Sequence, residues 1–222
     1  MVLSNSYYTL VASLPALPRH FEVDRVPIVQ PRLEKRLGML KPVDAKVVER
    51  LRAFLLWDRQ PPDRTDEEMI EHYLEFMSTT SNSLARHIVA FRFNIRTIMS
   101  ALRRRRRGLP PPPKVGEWGV HIEQNWGHTE FKLQRHYPWI AQVEQLLDTS
   151  DCLAVERILL GVTWAHWAKL AEQHFFSFET VLLYLARWEI IHRWTSQDAA
   201  VGGQRFEQLV TESLDEYANL YK

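Results

Sequence analysis

Residues 177–194 read SFETVLLYLARWEIIHRW, and this stretch decides the fold. Its apolar residues, Phe178, Val181, Leu182, Leu183, Tyr184, Leu185, Trp188, Ile190, Ile191 and Trp194, go nearly all the way round a helix. A helix with no polar face belongs in the centre of a protein. Residues 152–174 have the same character, so the spacing predicts two central helices, Cys152–His174 and Ser177–Trp194.

Outward from these two, amphipathic helices are expected to pack over them. His136–Leu147, with Pro138 in its first turn, predicts one, and Asp148, Thr149, Ser150 and Asp151 supply the cap of the next. Beyond Gly202 and Gly203, the residues Phe206, Leu209, Val210, Leu214 and Tyr217 predict a last helix. In the first half, a short helix is expected over Arg32–Leu40. A second begins after Pro42, with Val43, Val47, Leu51, Phe54 and Leu55 on its stripe, and stops before Pro61 and Pro62. Thr65 with Glu68 forms a capping box for the helix carrying Met69, Ile70, Tyr73, Phe76 and Met77. A longer helix from Ser83 holds Leu84, Ile88, Phe91, Ile95, Ile98 and Leu102 on one stripe and ends in Arg103–Arg107 and Gly108. Cations at the carbonyl end of a helix are favoured by its dipole.

Tyr7–Leu14 reads equally as a short strand or a first helical turn, and Pro15, Pro18, Pro27 and Pro31 make the following stretch extended. The expected fold is all-α, an antiparallel helical assembly of about seven or eight helices, with the N-terminal segment left open. Pro110–Pro113 with Gly116 and Gly119 mark a boundary. The chain divides into an N-terminal helical half, 1–107, a linker, 108–120, and a C-terminal helical half, 121–222, which can pack as one domain.

Composition agrees. The 222 residues are 45% hydrophobic and 25% charged, with 8 Trp and 10 Phe beside only 8 Gly. Few glycines leave few positive-φ positions for tight hairpins, which argues against an all-β fold. The single cysteine, Cys152, excludes an intrachain disulfide and a cysteine zinc cluster, and reads as a small core residue. The N-terminus lacks the basic region of a secretory signal, and no stretch approaches the roughly 20 apolar residues of a membrane span. A cytoplasmic protein is expected. The net charge of +1 conceals a basic first half and an acidic second half, which can face two partners or attract each other.

No glycine-rich phosphate loop and no nucleophile elbow is present. The helical di-iron signature needs two Glu-x-x-His copies, and only Glu189 with His192 fits. A catalytic, cofactor or metal site is therefore not expected. The rival is a helical enzyme whose metal site uses His166, His174, Glu189 and His192. Arg103, Arg104, Arg105, Arg106 and Arg107 form the most conspicuous local feature. They are either the solvated end of a helix or a surface for an acidic protein, for anionic lipid or, least favoured beside an acidic second half, for nucleic acid. The tryptophans at 164, 167, 188 and 194 read as core, whereas Trp118, Trp126 and Trp139 are the better candidates for a partner surface.

Three segments carry a resemblance: YYTLVASLP at 7–15, FRFNIRTI at 91–98, and YLARWEIIHRW at 184–194 with Gly202 and Phe206 after it. They resemble a bacterial family of uncharacterised proteins encoded beside subunits of V/A-type ATPases. The resemblance implies the place of the C/d adaptor of those ATPases, an all-helical part between the central stalk and the membrane ring. It implies no enzyme activity, partners among the other ATPase subunits, no nucleic acid, and a peripheral position on the cytoplasmic face of the inner membrane. Asn94 and Arg96 match the Asn-aliphatic-polar pattern of that adaptor's helices and, with Arg103–Arg107, are the expected partner-binding residues. Arg92-Phe93-Asn94-Ile95 and Arg187-Trp188-Glu189-Ile190 share one order of residue types, a faint echo of a repeat.

Overall fold

A computed structural model describes residues 7–55 and 66–196. The capping box at Thr65, the stop at Pro61 and Pro62, and the helix expected after Gly202 and Gly203 lie outside the described residues. Among the described residues the regular elements are helical: α1 Tyr8–Ser13, α2 Gln30–Leu37, α3 Pro42–Leu55, α4 Asp66–Thr79, α5 Ser83–Arg106, α6 Gly119–Gln124, α7 Ile140–Asp148, α8 Cys152–Ala171 and α9, residues 178–196. The all-α expectation holds, and the ambiguous N-terminal segment is a helix, with Leu10 buried beneath it.

The boundaries follow local chemistry. Pro31 lies in the first turn of α2, where its missing N–H costs no helical bond, so this helix begins before Arg32 and ends at Leu37 rather than Leu40. Asn82 caps α5 by accepting a hydrogen bond from the Ala85 N–H at 2.9 Å, and Asp151 caps α8 by accepting from the Ala154 N–H at 3.0 Å. Instead of starting at His136, α7 starts at Ile140. Pro138 restricts Tyr137 and keeps it out of the helix. Val43 falls off the stripe of α3 and is 74% exposed.

Two hydrophobic cores result. The first gathers Leu10, Leu33, Leu51, Phe76 and Ile88 with Trp167 and most of α9. The second gathers Ile98, Leu102, Ile122, Phe131, Ile140, Val143 and Val155. The N-terminal part of α5 and the C-terminal part of α8 lie in the first core, and their other ends lie in the second. These two helices therefore run antiparallel through both cores. At about 1.5 Å per residue the 24-residue α5 spans about 36 Å. As its apolar circumference requires, α9 is central, with Val181, Leu182, Leu183, Leu185 and Ile191 fully buried.

The extended stretch between α1 and α2 is pinned through its backbone. Trp188 donates to the Ile28 carbonyl at 2.8 Å and Trp164 to the Arg19 carbonyl at 3.1 Å. After α5, the proline run turns back along the same helix. Gly116, at φ +76°, lets the backbone approach so closely that a Cβ there would stand 2.9 Å from the Phe93 ring. No helix among the described residues is long and apolar enough to cross a membrane.

Candidate functional site

The arginine run is divided by the fold. Arg105 is drawn into the second core's wall: it donates to the His128 carbonyl at 2.8 Å, pairs with Glu144 at 2.5 Å, and lies 4.3 Å over the Phe131 ring. Arg106 pairs with Asp148 at 3.6 Å and donates to the Leu147 carbonyl. Arg104 reaches the Pro110 carbonyl at 2.8 Å. Arg103 and Arg107 are exposed and make no side-chain hydrogen bond or ion pair to the described residues. Part of the basic first half is thus spent on the acidic second half, Arg106 being paired though exposed.

Asn94 is buried and donates to Glu117 Oε2 at 2.7 Å, fastening the returning proline segment to α5. Arg96, half-buried, borders a small cavity with Phe93, Thr97 and Pro113. These positions from the resemblance sit where the two cores meet, and only Arg96 reaches the outside.

The four residues of the rival metal reading do not converge. His166 meets His87 across α5 and α8, their Nε2 atoms 2.8 Å apart, and stacks on Phe91 with ring centroids 4.1 Å apart. Burial, then the neighbouring His87 and Lys169, pushes His166 down to about 4, and burial lowers His87 as well. His174 lies on the turn after α8. Glu189 is 7% exposed and pairs with Arg52 at 3.4 Å, and Arg52 also holds Glu34. His192 stacks on Trp188, with centroids 4.8 Å apart. Among the described residues no group of three or more His, Cys, Asp or Glu side chains is gathered as a metal ion would need.

The aromatic and cysteine expectations are corrected in part. Trp164, Trp167 and Trp188 are buried, as expected of core residues. So is Trp139, which belongs to the second core rather than to a surface. Trp118 and Trp126 are half-buried, Trp118 donating to the Tyr137 hydroxyl at 2.9 Å and Trp126 stacked on Phe131. Cys152 is exposed, not core, because it occupies the first turn of α8 before that helix enters the second core. Two features escaped the sequence reading: the His87–His166 pair, and Phe175, which stands 74% exposed at the turn between α8 and α9. Both depend on how α8 is placed, for which helical spacing gives no signal.

Comparison with curated proteins and with solved structures yields no match. Residues 44–216 match the family described as Protein of unknown function (DUF2764). That description agrees with the expected resemblance to an uncharacterised family and makes no reference to ATPase subunits. The match covers most of the chain, and the protein belongs to this family.

Proposed function

We propose that the protein is a non-enzymatic part of a rotary V/A-type ATPase, in the place of its C/d adaptor, joining the central stalk to the membrane ring on the cytoplasmic face of the inner membrane. The reading starts from the resemblance carried by residues 7–15, 91–98 and 184–194. One observation supports it most: α5 and α8 run antiparallel through both cores, so that load applied at one end is carried by continuous helices to the other. Close-packed interiors yield little and transmit strain, which is what a coupling part must do. Arg103 and Arg107, which face outward, are the cations available to an acidic neighbour.

The test is extraction of the tagged protein from its native membranes in mild detergent, with the co-purifying proteins identified by mass spectrometry. Stalk and ring subunits are expected in stoichiometric yield, and the double reversal Arg103→Glu/Arg107→Glu is expected to lower that yield without changing the melting temperature. Recovery of a free protein, with no ATPase subunit attached under conditions that keep the rest of the complex whole, would overturn the proposal.

A further inference from the structure

Helices α2, α3 and α4 enclose an open channel of about 1180 Å³. Its α3 wall is made by Ala45, Val48, Glu49, Arg50, Arg52, Ala53 and Phe54, and its α4 wall by Glu68, Glu71, His72, Glu75 and Phe76. The α4 set recurs at spacings of three and four, so that wall is one face of a helix turned toward the channel. Leu37, Val48 and Phe76 are buried at its base, Phe76 beneath the Arg50 guanidinium, and the half-buried Phe54 and exposed Ala53 give it accessible apolar surface. Five glutamates and two arginines line the channel. Both arginines are engaged with neighbours in the fold, Arg50 with Thr79 and Glu75 and Arg52 with Glu34 and Glu189. Glu49 and Glu71 are exposed and bear charge with no cation paired to them among the described residues.

A channel with accessible apolar surface and an excess of carboxylates, three of them on α4, is the complement of a helix with one apolar and one cationic face. At a helix diameter of about 10–12 Å, the volume accommodates about two turns. Polyanions are disfavoured here, since nucleic acid and anionic lipid would meet a lining of five glutamates against two arginines. We propose that this channel docks a basic amphipathic helix of a partner protein, whose cations meet Glu49 and Glu71 and whose apolar face lies against Ala53 and Phe54. The assignment does not rest on the ATPase reading: a partner in any complex would satisfy it, and peptide binding can succeed where ATPase co-purification fails.

The experiment uses the full chain and a fluorescent Leu/Arg peptide of about fourteen residues with its leucines at helical spacing, followed by anisotropy at moderate salt. A second peptide of the same composition has that spacing scrambled. Saturable binding is expected on the order of micromolar. Glu49→Lys/Glu71→Lys should weaken it about tenfold or more, and so should Ala53→Trp, which fills the channel and changes no charge. Both changes lie at exposed positions, and circular dichroism melts check that the variants fold. Absence of saturable binding would overturn the proposal. Equal affinity for the scrambled peptide, or indifference to Ala53→Trp, would overturn it too, by reducing the contact to general charge attraction.

Discussion

His87 and His166 share one hydrogen bond between their Nε2 atoms, in which one ring donates and the other accepts, so at least one imidazole must be neutral. His166 is held down to about 4, against 6.5 in the unfolded chain, by burial and then by His87 and Lys169. Between these values the unfolded chain binds the proton first, so this contribution to stability is complete above pH 6.5 and is lost as pH falls toward 4. Glu179 adds acid sensitivity of the same sign, because hydrogen bonds from its own backbone, Ser177 and Asn82 outweigh burial and lower its pKa. Comparison with His166→Phe isolates the histidine. We expect the loss of urea stability between pH 7 and pH 4.5 to be smaller in this variant than in the parent; equal losses would show that folding does not lower the His166 pKa. The sequence picks out His166 but not its partner 79 positions earlier, because helical periodicity identifies neighbours within one helix and says nothing of which helices cross. The exposure of Cys152 escaped for a related reason, since an apolar sequence context does not reveal where a helix enters its core.

At the scale of elements, the segment between α6 and α7 carries the clearest backbone strain. Glu130, Phe131 and Lys132 have φ of +52°, +51° and +58°, a left-handed turn that costs about 1–2 kcal/mol per residue for side chains with a Cβ. Phe131 holds it in place: its ring is fully buried beneath Arg105, and its carbonyl lies 3.0 Å from His121 Nε2. Glycine removes the steric cost at this φ but loses more chain entropy on folding. Glu130→Gly and Lys132→Gly should therefore each raise stability, by about 1 kcal/mol, whereas Phe131→Gly should lower it by about 3 kcal/mol through the lost ring. Urea midpoints measure all three, and destabilisation by both outer substitutions would mean that their side chains contribute more than the strain they bear. The long helices were legible because caps and apolar stripes are local signals, as at Asn82 and Asp151. This turn was not, because no residue type in it prefers positive φ and only the burial of Phe131 enforces it.

At the scale of the whole molecule, two cores share two helices. A defect in the second core should therefore be felt in the first. Ile140 belongs to the second core and is fully buried, so Ile140→Ala should cost about 3 kcal/mol. Hydrogen exchange is expected to show protection falling in α9 as well as in α7; loss confined to α7 and its neighbours would show that the cores open independently. The sequence by itself determined the helical class and the central place of the helix read over Ser177–Trp194, because its apolar circumference is satisfied by burial on every side, whereas the start of the similar stretch at Cys152 and Leu153 is exposed. Tertiary structure alone decided which charges face outward. Arg105 and Arg106 are spent on Glu144 and Asp148, Arg52 is spent on Glu34 and Glu189, and Glu49 and Glu71 are left lining an open channel. Charge pairing is decided over a few ångströms between residues distant in the chain, a distance that no local pattern encodes.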